Sequence, residues 1–248
     1  MARYGKQHKQ ATRRRILEAA GRRLKRDGID GAGIATLMAD AGLTNGAFYA
    51  HFASKDDLVA TAVADQLHNH RESLSTLAPG RAGVEQYVRA YLSVEHRDNP
   101  DDGCPSAALL DEIGRCPDAV KRAYTDGLLV GIDDIAARLA PDDPPSARAK
   151  TLSVFALLVG TLQLSRALAD RQLADQVLEQ GIQNALALLE PSSRADAPHH
   201  QAVTRPRGRV AGSGDERERE RQRQHARRVD EALQLVRDDA AWTGKAAR

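Results

Sequence analysis

Aromatic residues are scarce in this chain: Phe, Tyr and Trp together make 4% of its 248 residues. Alanine and leucine dominate the apolar fraction of 42%, a balance that favours helices. Cysteine occurs twice, at Cys104 and Cys116, too rarely for a disulfide framework. No segment reaches the roughly 18 apolar residues of a membrane span. The best stretch, Leu152 to Leu164, is too short and contains Ser153, Thr161 and Gln163. The basic start MARYGKQHKQATRRR is followed by no apolar signal core, so a cytoplasmic protein with no membrane partner is expected.

Catalytic and metal signatures are missing as well. There is no nucleophile elbow, no HExxH and no Walker loop, and no cofactor or metal is called for. Gly28, Gly31 and Gly33 lack the preceding strand and the spacing of a phosphate loop, and read as a connection between helices. His68 and His70, two apart on a helix, point to different faces and make a poor metal pair. The adjacent acids Asp111-Glu112, Asp133-Asp134 and Asp142-Asp143 diverge on a helix and read as solvated surface. The chain is not expected to be an enzyme.

What is present is helical periodicity and an uneven charge. Residues 1–60 carry 11 Lys+Arg and 6 Asp+Glu, a net +5, while residues 61–190 are net −7 and residues 191–248 net +4. A basic end on an acidic body suits contact with a polyanion through that end alone. Ala11 to Asp27 forms one amphipathic helix, with Ile16, Leu17, Ala20 and Leu24 on its buried face. The stretch GIATLMADAGLTNGAFYAHFASK, Gly33 to Lys55, then reads as two short helices around a tight turn. Ile34, Leu37, Met38 and Ala41 share one face, Gly42 breaks the helix, Leu43 plugs the turn and Thr44 serves as N-cap. The helix Asn45 to His51 is too short to be stable alone. Phe48 and Phe52 bury one side, and Asn45, Gly46, Ala47, Tyr49 and His51 face outward. That is a helix-turn-helix.

The order Met38-Ala39, Ala41-Gly42-Leu43-Thr44, Gly46, Phe48-Tyr49, His51-Phe52, Ser54-Lys55 and Leu58 resembles the N-terminal DNA-binding domain of the TetR family of bacterial transcriptional regulators. The likeness is tight over the first 60 residues and loose, through helix order and length, to about residue 190. It departs in two places. Gly33 stands where the family usually has a capping Ser or Thr, and the chain continues past residue 190, where family members typically end.

The resemblance implies a DNA-binding regulator, most often a repressor. It would bind a palindromic double-stranded operator as a homodimer and be released by an unidentified small-molecule effector. Asn45 would read a base edge and Ala47 a thymine methyl, with Thr36 reaching a base or phosphate. Thr44, Tyr49, His51 and Lys55 would hold phosphates, and Gly46 would let the backbone come close. The alternatives are an architectural DNA-binding protein without an inducer and an enzyme that merely carries a helix-turn-helix.

The body reads as further helices: one from Ser54 to before Pro79, one through Val84 to Tyr91, then Pro105 to Arg115, Pro117 to Leu139, Ser146 to Asp170 and Gln172 to Glu190. His96 to Gly103 reads as a loop. The run LSVFALLVGTLQL is apolar almost all round, with Gly160 permitting close approach, and the resemblance implies a dimer interface over residues 146–190. The expected fold is all-α: a three-helix DNA-binding domain followed by a ligand-binding and dimerisation domain of about six helices. The expected organisation is a flexible basic arm at 1–9, the helix-turn-helix domain at 10–56 and the helical body at 57–190. A disordered linker at 191–214 and a charged, helix-prone segment at 215–248 follow. Cys104, in Asp102-Gly103-Cys104-Pro105 at a helix start, is the candidate sensor of an electrophilic or oxidising compound, with Cys116 as the candidate resolving partner; the alternatives are a buried structural cysteine and a ligand held non-covalently among the body helices.

Overall fold

The computed structural model describes residues 2–190, apart from the side chains of residues 2–6 and Ser73. The linker expected at 191–214 and the charged segment at 215–248 lie outside the described residues. Among the described residues nine α-helices follow one another: α1 Ala2–Gly31, α2 Ile34–Asp40, α3 Lys55–Leu74, α4 Gly80–Tyr91 and α5 Val94–Asp98, then α6 Pro105–Arg115, α7 Asp118–Leu139, α8 Pro144–Ala167 and α9 Arg171–Leu189. Two 3-10 helices, Asn45–Ala50 and Pro100–Asp102, complete the set. Among the described residues there is no strand. The all-α expectation holds.

Two expectations change. The flexible arm at 1–9 is replaced by helix, because α1 begins at Ala2 and runs through a segment of Lys, Gln, Ala and Arg that no proline interrupts. The loop expected from His96 to Gly103 is instead mostly α5 and the second 3-10 helix. Ser93 caps α5 by accepting from the His96 backbone N–H at 3.1 Å, and Pro100 opens the 3-10 turn.

The head packs α1, α2, the first 3-10 helix and the start of α3 around Ile16, Leu24, Leu37, Met38, Phe48 and Phe52. This core does not stop at residue 56. Leu109 and Ile113 of α6 and Val120 and Tyr124 of α7 belong to the same cluster. The boundary expected between residues 56 and 57 is therefore a change of role within continuous packing. A second core fills the body around Tyr87, Tyr91, Leu158, Leu162, Leu178 and Ile182. The long helix α3 links the two, packed along α7.

The acid pairs on α6 and α7 are not simply solvated. Asp134 pairs with Arg71 of α3 and Asp133 with Arg148 of α8, so each carboxylate ties a different neighbour. Glu112 reaches the head: its Oε2 accepts from the backbone N–H groups of Ile29 at 2.7 Å and Asp30 at 3.2 Å. Gly160, expected to allow a close approach, meets nothing within 4 Å in the protomer and faces outward. Leu152 and Leu164 of α8 and Leu173 and Leu188 of α9 are exposed apolar side chains on the same pair of helices. No described helix is long and apolar enough to cross a membrane.

Candidate functional site

The turn between α2 and the first 3-10 helix is closed by its own backbone. Gly42 has φ +66°, the left-handed conformation that glycine takes at no steric cost. Its N–H donates to Ala39 O at 2.9 Å, and the Leu43 N–H donates to Met38 O at 2.9 Å. These are the two bonds of a Schellman motif, and Leu43 packs against the core that holds Met38. Arg15 of α1 adds a bond from its Nε to Ala41 O at 2.9 Å. The direction of the chain beyond Gly42 is thus fixed by bonds to the end of α2 rather than by apolar contact alone.

The next element is a single 3-10 helix, Asn45–Ala50, rather than the expected α-helix to His51. Phe48 is wholly buried under it, and the Phe52 ring lies 5.8 Å from the Phe48 ring. The Arg13 guanidinium covers Phe52 at 4.5 Å from the ring centre. With one face pinned this way, Asn45, Gly46, Tyr49 and Ala50 are left exposed. Thr44 is the N-cap residue, but its hydroxyl makes no capping bond, so it stays available to a partner.

The remaining expected contact residues divide. Thr36 and Thr44 are exposed, and Tyr49 stands out at 72% exposure. Nothing in the protein lies within 4 Å of a side chain placed on Gly46. Ala47 is half-buried against the head core, so it presents less surface than expected. His51 is half-buried, and its Nδ1 is buried without a partner. Burial pushes the His51 pKa down, and the nearby Lys9 and Arg13 push it further. Lys55 is the first residue of α3. Behind it, the Ser54 hydroxyl accepts from the Asp57 N–H at 3.1 Å, and the Asp57 carboxylate accepts from the Ala53 N–H, one residue before the cap, at 2.9 Å. Lys9 and Arg13 carry no mark in the sequence that singles them out. Only their closeness to His51, across 38 or more residues of chain, puts them on this surface.

Cys104 lies elsewhere, as the N-cap residue of α6 with Pro105 at the first helical position. It is buried, and it lines two cavities. The larger, of about 550 Å³, is bordered by His70, Tyr87, Tyr91, His96, Asp102 and Cys104. That volume falls in the usual range of small-molecule sites. A small apolar space of about 30 Å³ shares His70, Tyr87 and Cys104 with it and reaches Phe155 and Ile135. Burial pushes the His70 pKa down to about 4, and its Nε2 lies 3.1 Å from the Tyr87 hydroxyl. The Tyr91 hydroxyl is buried without a hydrogen-bond partner. Sequence reading finds Cys104 but not this ring of His and Tyr, because its members come from α3, α4 and α5. Cys116 caps the far end of α6, about 18 Å from Cys104 at the helical rise, and is too distant to pair with it in one protomer.

The sequence profile described as bacterial regulatory proteins, tetR family, matches residues 16–62, the span just built from α1 to the start of α3. Residues 16–62 carry the N-terminal domain of the TetR family. It is 39% identical over 85 residues to the HTH-type transcriptional regulator TtgR of Pseudomonas putida, covering 34% of this chain and 40% of that protein. It is 39% identical over 75 residues to ArpR, a probable HTH-type transcriptional regulator of Pseudomonas putida, covering 30% of this chain and 35% of that protein. The matched region therefore spans less than half the length of these curated relatives. Among solved structures, E. coli NemR in its reduced form superposes with a TM-score of 0.59 at 17% identity, over 71% of this chain and 95% of that one. This likeness is one of fold, and it takes in the helical body as well as the head.

Proposed function

We propose that this chain is a DNA-binding transcriptional regulator of the TetR family, a repressor that binds a palindromic operator as a homodimer and is released by a small molecule. The observation that carries the reading is the 3-10 helix Asn45–Ala50, pinned by buried Phe48 and leaving Asn45, Gly46 and Tyr49 exposed on a head of net charge +5. Asn45 reads a base edge. Thr36, Thr44, Tyr49, His51 and Lys55 set register on the phosphates, joined by Lys9 and Arg13. Half-buried Ala47 contributes a methyl contact at most.

The exposed leucines of α8 and α9, with Gly160 between Leu152 and Leu164, support a face shared by two protomers over residues 146–190. The chamber beside Cys104 supports effector binding over the alternative of an architectural protein without an inducer. Cys104 is its candidate sensor residue, acting within one protomer and without Cys116. The test is selection of duplexes from a random pool by the full chain. A two-fold symmetric sequence should be enriched, and release from it by a panel of quinones, aldehydes and peroxide should be lost in Cys104→Ser if the thiol is the sensor. Enrichment of no sequence, with equal retention of all duplexes, would overturn the regulator reading.

A further inference from the structure

A single peptide unit, the one joining Gly103 to Cys104, is bonded on both edges, and the two bonds lead to different parts of the molecule. Its carbonyl accepts from Lys25 Nζ of α1 at 2.9 Å. Its N–H donates to Nε2 of His96, in the chamber wall, at 3.0 Å. The head and the chamber therefore hold opposite sides of one rigid plane.

Each partner is itself fixed. His96 Nδ1 lies 2.7 Å from Tyr91 O, so Nδ1 carries the proton and Nε2 is left as the acceptor that the Cys104 N–H needs. Arg166 braces the same wall, donating to His96 O at 2.7 Å, Arg97 O at 3.1 Å and Ala107 O at 3.1 Å. Lys25 is 7% exposed. Among the described residues no carboxylate lies within ion-pair distance of it, and Asp101 and Asp102 act on it only at longer range. An ammonium taken so far out of water requires its carbonyl partner. Gly103 is also required here, because a Cβ at that position would come within 2.6 Å of the His96 ring.

The same helix touches α1 a second time. Glu112, two turns along α6, holds the Ile29 and Asp30 N–H groups where α1 breaks at Gly28. Gly28 has φ +80°, and a side chain there would meet the Glu112 carboxylate at 2.6 Å. The start of α6 and its later turns thus hold α1 at Lys25 and at residues 29–30, with the chamber at the first of these points.

We propose that the Gly103–Cys104 peptide is the relay by which occupancy of the chamber reaches the head. An occupant that moves His96 or Cys104 turns this plane, withdraws the carbonyl from Lys25 and loosens α1 on α6. By reciprocity, anything that holds α1 in place holds the chamber wall. The relay names the regulation of the site read above as an effector chamber, and rests on that reading for its biological meaning. The mechanical link is separate from it.

The test is amide hydrogen exchange of the full-length protein, resolved at single residues by NMR, with no ligand added. In Lys25→Met the Cys104 amide should exchange roughly tenfold faster. In Gly103→Ala, where the new methyl displaces His96, the amides of residues 22–31 should exchange faster by a similar factor. Lys25→Arg, which keeps a cationic donor, should restore most of the Cys104 protection. Arg23→Met is the control, since Arg23 pairs with Asp27 and Asp40 inside the head. It should leave Cys104 unmoved. Unchanged exchange at Cys104 in Lys25→Met and at α1 in Gly103→Ala would overturn the relay, as would an equal rise at Cys104 in Arg23→Met. If Lys25→Met does not fold, the Gly103→Ala arm decides. Failure of the wild type to bind any duplex would sink the regulator reading and leave the exchange result standing.

Discussion

His70 shows how one side chain ties the chamber to stability. In the unfolded chain it titrates near 6.5, and in the folded chain burial holds it to about 4. Between those values the unfolded chain binds more protons, so stability rises with pH across the window and falls on acidification. His51 and His96 are lowered by burial too and act in the same direction. Urea unfolding at pH 7 and pH 5 should show a loss in wild type that exceeds the loss in His70→Gln by about 2 kcal/mol. Equal losses would mean that His70 is solvated. The glycines offer a second residue-scale comparison. Gly42→Ala meets only strain from its positive φ, about 1–2 kcal/mol, since the nearest contact is Arg15 at 3.8 Å. Gly28→Ala adds a collision with Glu112 and should cost more. Thermal unfolding of the two variants checks the order, and Gly42→Ala being the worse would contradict it. Gly42 is legible in the sequence, because a helix end leaves a local mark. Glu112 is not, since its partners are backbone N–H groups 82 and 83 residues away that carry no side-chain signature.

At the scale of elements, the caps and the periods are the legible part. Ser54 is expected to open α3, and the structure adds the Asp57 carboxylate, which holds the Ala53 N–H just before the cap. Ser54→Ala should cost about 1 kcal/mol and lower the Tm by roughly 2–4 °C. An unchanged Tm would show that the Ser54 cap adds nothing to a water-capped end. Helices α6 to α9 lie within two residues of their expected ends, apart from the C-terminus of α8, because proline, glycine and a three-to-four period mark them locally. The recognition element lies where the sequence puts it, in a different form. Phe48 and Phe52 are four apart, which reads as α-helix, yet the segment that buries Phe48 in the head core is wound into 3-10 turns. Tertiary packing decides where local preference is weak. The short helix α5 is hidden for a similar reason: HRDNPDDG has the composition of a loop, and Ser93 and Arg97 stabilise the helix through capping and through the pairing of Arg97 with Asp98 and Asp175.

The whole molecule joins a basic head to an acidic body through a shared core, so the head does not hang from a hinge. That sharing is invisible in the sequence, where Leu109 and Ile113 look like any buried face of a short helix. The proposed dimer belongs to this scale. Sedimentation of the wild type should give twice 26.9 kDa, and Leu164→Glu should shift it toward the monomer. A monomeric wild type, or a variant that stays paired, would remove the α8–α9 face from the account. The most direct measurement of the central claim is the salt dependence of binding to a duplex selected by the protein, against a scrambled duplex, by fluorescence anisotropy. The account predicts tighter binding to the selected duplex at every salt concentration and a steep linear fall of log affinity with log salt. Lys55→Ala should flatten that slope for both duplexes, and Asn45→Ala should cost roughly 1–3 kcal/mol on the selected duplex alone. Equal affinity of the wild type for the two duplexes, with no effect of either substitution, would contradict it.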